Sequence, residues 1–271
     1  MGCVVQNRSV EGPAKRTHTA ATEEVRATGR PRLIDLTMEI YQGMPTYPSV
    51  AKPFVHELEN HEQMAHSSGA WQYGLTHAPN HCVIVSGDHI GTHLDSWGHV
   101  KPGAPRAESI PLEYCYGPGV VLDLSHSAPG AAISADAIAD ALSVIAYDLQ
   151  PLDIVLIRTD AARYRTEPRY LTEHPGMSKE AVHWLLDRGI KVMGIDAIGF
   201  DIPLARMFEH RAFWEAHMVM LEREYYHLEN LINLDQIPIS HGFTVSVLPI
   251  PYRGASAAPV RAVAILPHSQ T

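Results

Sequence analysis

The stretch that most constrains this fold runs from residue 83 to residue 99. A short apolar run, Val83-Ile84-Val85-Ser86, reads as a strand. It leads directly into Asp88-His89-Ile90-Gly91-Thr92-His93-Leu94-Asp95-Ser96-Trp97-Gly98-His99. Three histidines and an aspartate fall within the eleven positions from His89 to His99. Imidazole nitrogen and carboxylate oxygen together suit a borderline divalent ion such as zinc or manganese. His89 and His93 are four apart, so one helical turn would place them on one face. Gly91-Thr92 argues against a regular helix, and a tight strand-to-loop turn converges them equally well. Asp95, two residues beyond His93, suits a ligand in a locally extended stretch. A histidine-rich surface loop is the bland alternative, and the spacing beside a strand weighs against it.

The rest of the 271-residue chain is an ordinary globular sequence. Hydrophobic residues make up 45% and charged residues 19%, which excludes a disordered or fibrous chain. Lys and Arg total 21 against 30 Asp and Glu, and this net charge of -9 without basic runs argues against a nucleic-acid partner. No apolar run reaches the roughly 18 residues of a membrane span. The beginning of the chain lacks a secretory apolar segment, and Gln6 stands where a myristoylation signal needs Ser or Thr. Three cysteines, Cys3, Cys82 and Cys115, cannot build a disulfide framework, so a reducing, cytoplasmic setting is expected. Cys82 and Cys115 read as buried structural thiols.

Residues 1–31 are polar and aperiodic and read as a flexible arm; residues 32–271 read as one domain. Strands are expected at 33–37, 83–86, 119–124, 153–159, 191–196, 243–248 and 260–266. Helices are expected from Ser134 to about Ala146 and after Ser178, the second ended by Gly189. Residues 56–81 read as a long histidine-rich loop or lid, and residues 208–221 are ambiguous. Strands alternate with two helices and then dominate, which predicts an α/β or α+β domain with a mixed sheet. No Gly-x-Ser-x-Gly element suggests a serine nucleophile.

The pattern His89-x-Gly91-Thr92-His93-x-Asp95-x-x-x-His99 resembles the signature of the cyclase-like metal-dependent hydrolases, a family that includes bacterial kynurenine formamidase and isatin hydrolase. Trp97 stands where the commonest form of that signature has Pro. Leu33-Ile34-Asp35-Leu36-Thr37, Met44-Pro45-Thr46-Tyr47-Pro48, Gly194-Ile195-Asp196, and Ala216-His217 with Leu228-Glu229-Asn230-Leu231 extend the resemblance over residues 32 to 267. It implies a swivelling β/β/α-type fold assembled as a homodimer or homotetramer. It implies His89, His93 and Asp95 as metal ligands, with His217 and Glu229 completing a second position that Asp95 bridges. The isatin hydrolase branch works with a single manganese, so one ion or two both fit.

A divalent ion lowers the pKa of water bound to it and polarises a carbonyl, and an imidazole then moves a proton to the leaving atom. His99 is the first candidate for that step and Glu229 the second. Trp97, Tyr47, Trp71 and Phe200 are candidate walls for a small planar substrate, Trp97 foremost because it lies inside the motif. Asp196 and Arg261 read as structural. The expected activity is hydrolysis of a small cyclic amide, lactone or aryl formamide. A metal-dependent cyclase or dehydratase and a non-catalytic metal protein are the rivals.

Overall fold

The computed structural model describes residues 30–267. The expected arm lies outside the described residues except for Arg30 and Pro31, as does Cys3. In chain order the strands are β1 (Arg32–Asp35), β2 (Phe54–Glu59), β3 (His81–Val85), β4 (His93–Asp95), β5 (Tyr116–Asp123), β6 (Ala132–Ile133), β7 (Ile154–Arg158), β8 (Gly176–Met177), β9 (Val192–Ile195), β10 (Tyr226–Glu229), β11 (His241–Ser246), β12 (Ala257–Pro259) and β13 (Val263–Leu266). The α-helices are α1 (His61–Ser67), α2 (Ala135–Val144), α3 (Lys179–Leu186), α4 (Leu204–His210) and α5 (Glu215–Met218).

Nine strands form one mixed sheet in the order β1-β13-β11-β5-β7-β9-β10-β4-β12. Its centre, β5-β7-β9-β10, is parallel, and both flanks are antiparallel. The parallel strands require crossovers, and α2 and α3 supply two of them. Each of these helices starts where a serine accepts an exposed amide: Ser134 from Ala137 N and Ser178 from Ala181 N, both at 3.1 Å. Gly189, at φ 81°, lets the chain turn after α3.

One face of the sheet packs on these helices. Ile138 and Leu142 of α2 and Val182 and Leu185 of α3 cover Val120, Leu122, Val155 and Ile157. The other face carries a second core with Ile34, Val121, Leu156, Tyr226, Leu228 and Phe243. Burying each large aliphatic side chain contributes roughly 1.5–3 kcal/mol. The result is the mixed α/β domain expected from the alternation of strands and helices.

Residues 56–81 are not a loop. They belong to a two-stranded antiparallel hairpin, β2 on β3, with α1 and a 3-10 turn between the strands. Asn60 and Gln63 make a reciprocal capping box that starts α1. All of β3 is exposed, so Cys82 is an exposed thiol, whereas Cys115 is buried and its pKa is pushed up to about 12 by burial and by Glu113. The ambiguous segment resolves into the end of α4, where Arg211 turns the chain at φ 55°, followed by α5. No described helix is long and apolar enough to cross a membrane.

Candidate metal centre

The site is built on two short strands that the hydrophobic pattern does not announce. β4 and β10 pair antiparallel, with Asp95 opposite His227 and His93 opposite Glu229. Side chains alternate across a strand. Leu94, Tyr226 and Leu228 therefore point into the second core. His93, Asp95, His227 and Glu229 share the opposite face, and all four are buried.

Gly91 and Thr92 shape the approach to β4. Gly91 takes φ +59°, and a Cβ there would lie 2.7 Å from Ile40 Cγ1. The Thr92 hydroxyl donates to Asn230 O at 2.6 Å and accepts from Met38 N at 2.7 Å. It thus ties the start of β4 to the end of β10 and to the chain beyond β1. These bonds place His89 Nδ1 at 3.0 Å and His93 Nε2 at 3.2 Å from Asp95 Oδ1. The other oxygen, Asp95 Oδ2, faces His227 Nε2 at 3.3 Å, His99 Nε2 at 3.6 Å and His217 Nε2 at 3.7 Å. Glu229 closes the ring, with Oε2 3.5 Å from His93 Nε2 and Oε1 3.7 Å from His217 Nε2.

The tautomers test whether these residues suit a cation. His93 Nδ1 lies 2.8 Å from the Gly91 carbonyl, so it carries the proton and Nε2 is a bare lone pair. Ser256 Oγ donates to Asp88 Oδ2 at 2.8 Å and accepts from His89 Nε2 at 2.9 Å, which leaves His89 Nδ1 bare. His217 Nδ1 donates to Asp201, whose carboxylate also accepts from Ala216 N at 2.7 Å and His217 N at 3.2 Å. In each case the outer nitrogen is fixed by an acceptor and the inner one points at a carboxylate. Lone pairs facing carboxylates repel unless a cation lies between them. Outer acceptors of this kind are what orient metal-binding histidines. His93 Nε2 and both Asp95 oxygens are buried without a hydrogen-bond partner, the expected signature of donors kept for an ion. The residues fit a divalent metal.

The electrostatics agree. Burial works against ionised Asp95, yet His89, His227 and His99 hold its pKa well below the ordinary range. Burial likewise opposes ionised Glu229, and its hydrogen bond with His227 helps to bring it down to about 2. Burial disfavours a charged His217, but Asp201 and Asp95 raise its pKa well above the ordinary imidazole value, a pull on positive charge that a divalent cation would satisfy in place of a proton. His99 differs from His217. Burial first, then the neighbouring His89 and His217, bring it down to about 4 against the pull of Asp95.

A cavity of about 840 Å³ opens beside the centre, and His89, His99, His217 and Glu229 line it. Tyr47 and Phe200 line it as well, together with Trp214, whose indole Nε1 donates to Tyr47 OH at 3.3 Å. Two expected walls are elsewhere. Trp97 starts a 3-10 turn after β4, packs against both cores and donates to Met220 O at 2.7 Å, so it braces the motif from behind. Trp71 is half exposed on the hairpin, tilted against His66, because its segment folds as a separate β-arm. No hairpin histidine joins a potential metal cluster among the described residues. Asp196 sits below the sheet end and accepts from Thr159 N, Thr159 Oγ1 and Asp160 N at 2.7, 2.6 and 2.9 Å, a structural role. Arg261 pairs with Asp35 at 2.7 Å.

Sequence reasoning missed His227 and Asp201. The signal for His227 was its distance of two from Glu229, which places both on one face of any strand. Asp201 carries no local signal, since only folding brings it to His217.

A mixed sheet holding buried histidines and carboxylates at one strand pair defines the class, and the sequence places the chain within it. The profile of the family described as "Putative cyclase" matches residues 34–202, and the chain belongs to that family. Kynurenine formamidase of Bordetella petrii is 29% identical over 197 residues, covering 71% of this chain and 85% of the relative. Isatin hydrolase of Roseibium aggregatum is 26% identical over 200 residues, covering 68% and 74%. In three dimensions the chain is similar to isatin hydrolase A from Labrenzia aggregata bound to benzyl benzoate. The TM-score is 0.75 at 24% identity, over 92% of this chain and 99% of that one.

Proposed function

We propose that this chain is a divalent-metal-dependent hydrolase that opens the C–N or C–O bond of a small planar substrate: a cyclic amide, a lactone or an aryl formamide. The observation that carries this reading is the ring of imidazole nitrogens and carboxylates that β4, β10, the turn before β4 and α5 bring together, beside a cavity walled by Tyr47, Phe200 and Trp214. The kynurenine formamidase and isatin hydrolase relatives support the same bond class. When bound, zinc or manganese, as one ion or two, supplies charge to polarise a carbonyl and acidify water.

The chain's own residues do the rest. His89, His93 and Asp95 hold one position; Asp95, His217 and Glu229 hold a second. Tyr47, Phe200 and Trp214 form a slot that fits a flat ring and excludes water. His99 stands at the cavity, where burial favours its neutral form, the form that accepts a proton. It takes that proton from water as the oxygen adds to the carbonyl carbon. It returns the proton to the leaving nitrogen or oxygen as the bond breaks.

Replacing His93 with Ala tests the reading, with bound metal measured by elemental analysis and turnover on N-formylkynurenine, isatin and lactones. Loss of both is expected. A variant that keeps its metal and its turnover overturns the assignment, and a wild-type protein that leaves the whole panel intact turns it toward a cyclase.

We further propose that the protein works as a homodimer or homotetramer joined through the β2–β3 hairpin. Phe54, Val55, Leu58, Ile84 and Val85 are exposed there. An isolated two-stranded hairpin is marginal in water, so this arm gains its stability from a second copy.

A further inference from the structure

His227 is the one imidazole of the centre that lies outside the signature pattern, two residues before Glu229 on β10. It is fully buried on β10, and its ring stacks on Phe200 with centroids 4.3 Å apart and planes at 18°. That stack and the strand backbone fix the ring so that Nε2 faces the ligand ring. From Nε2 the distances are 3.3 Å to Asp95 Oδ2, 3.2 Å to His217 Nε2 and 3.6 Å to Glu229 Oε1. His217 Nε2 in turn lies 3.7 Å from both Asp95 Oδ2 and Glu229 Oε1. These are five of the six edges of a tetrahedron whose corners are Asp95 Oδ2, His217 Nε2, His227 Nε2 and Glu229 Oε1. A tetrahedral ion with ligands at 2.0–2.1 Å has ligand separations of roughly 3.3–3.4 Å. The observed edges, 3.2 to 3.7 Å, bracket that value without any ligand having to move far.

We propose that His227 is a fourth protein donor to the inner metal position, closing it as an N2O2 tetrahedron of His217, His227, Asp95 and Glu229. The inference rests on the metal-centre reading above and sharpens it. The two positions then differ in kind. Four protein donors close the inner one, as in structural zinc sites, whereas the outer one has His89, His93 and Asp95 and keeps an open place. The inner ion is held tightly and exchanges slowly, and the outer ion, with its open place, is the exchangeable one. His227 Nδ1 is buried without a partner, so no acceptor orients this ring as Asp201 orients His217. The Phe200 stack does that work instead.

The test compares the wild-type protein with His227→Leu, both loaded with zinc and then dialysed against a chelator of graded strength. The wild type is expected to retain one ion per chain after the other has gone. The variant is expected to lose the resistant ion with an affinity drop of more than about 100-fold, beyond the range typical of losing an outer hydrogen-bond partner. A folded variant, by circular dichroism, that keeps the resistant ion at unchanged affinity overturns the proposal and leaves the hydrolase reading intact. A wild-type protein that binds no divalent ion overturns both. Should the variant not fold, cobalt(II) titration of the wild type decides. An intense four-coordinate visible spectrum at the first equivalent supports the closed site, and a weak six-coordinate spectrum overturns it.

Discussion

At the scale of single residues, two buried aspartates that look alike in sequence do opposite things. Asp201 accepts from Ala216 N and His217 N and anchors the His217 ring, while Asp196 is buried under Thr159 and Asp160, and burial, the largest influence on it, raises its pKa to about 6. A carboxyl whose folded pKa exceeds its unfolded value binds more protons when folded. Stability from this group is therefore greatest below an unfolded pKa near 4 and is lost as pH rises through 6. The span of about two units corresponds to roughly 3 kcal/mol. Chemical denaturation of wild type and Asp196→Asn between pH 4.5 and 7.5 checks it. The stability difference is expected to move toward the wild type as pH falls, and a flat difference rejects it. The same scale shows what was legible. His89, His93, Asp95 and His99 stand out because they crowd one short segment next to a strand. His217 and Glu229 were visible through resemblance alone, and His227 was hidden between Tyr226 and Leu228, where an apolar reading is natural. Trp97 was misread as a wall, since a bulky aromatic inside a polar motif packs inward as readily as it faces a substrate.

At the scale of elements, the helices and central strands were readable and the site strands were not. α2 and α3 carry serine caps and apolar faces, and Val120-Val121-Leu122 of β5, Ile154-Val155-Leu156-Ile157 of β7 and Val192-Met193-Gly194-Ile195 of β9 are continuous buried runs. β4 and β10 are three and four residues long, and four of their seven side chains are the proposed donors, where a pattern rule expects hydrophobes. The hairpin was unreadable for another reason: with both of its faces exposed, nothing imposes alternation. A small element controls the centre from outside. β8 lies so close to the chain at Asp201 that a Cβ on Gly176 would sit 2.0 Å from Asp201 C and 2.2 Å from its O, both backbone atoms. Gly176→Ala is expected to cost about 3 kcal/mol by overpacking. By displacing Asp201 it should also loosen His217 and weaken metal binding. Denaturant unfolding and metal titration of the variant measure the two effects, and a variant matching the wild type in both contradicts this packing argument.

At the scale of the whole molecule, the large sheet holds four of the proposed donors on one strand pair, and the separate β2–β3 arm exposes apolar side chains. The proposed self-association predicts a mass of two or four chains by light scattering. Charged replacements at Ile84 and Val85, which are 68% and 58% exposed, should shift that mass toward one chain. A wild-type protein already at one chain's mass removes the arm's proposed role. The domain class was legible at this scale because strand and helix alternation depends on local sequence. The flanks of the sheet were not, because the pairings of β1 with β13 and of β4 with β12 join segments far apart in the chain.

The register of β4 on β10 has a further consequence. Slipping one strand by a single residue would turn all its ligands to the far face together. A chain with these strands mispaired therefore loses the candidate donors of the slipped strand and keeps mainly those outside it, such as His89, His99 and His217. An ion that binds only the correctly paired chain draws the population toward it by mass action. Metal supplied during synthesis would then act as a proofreader, and shortage of it would appear first as misfolded protein rather than as intact but idle enzyme.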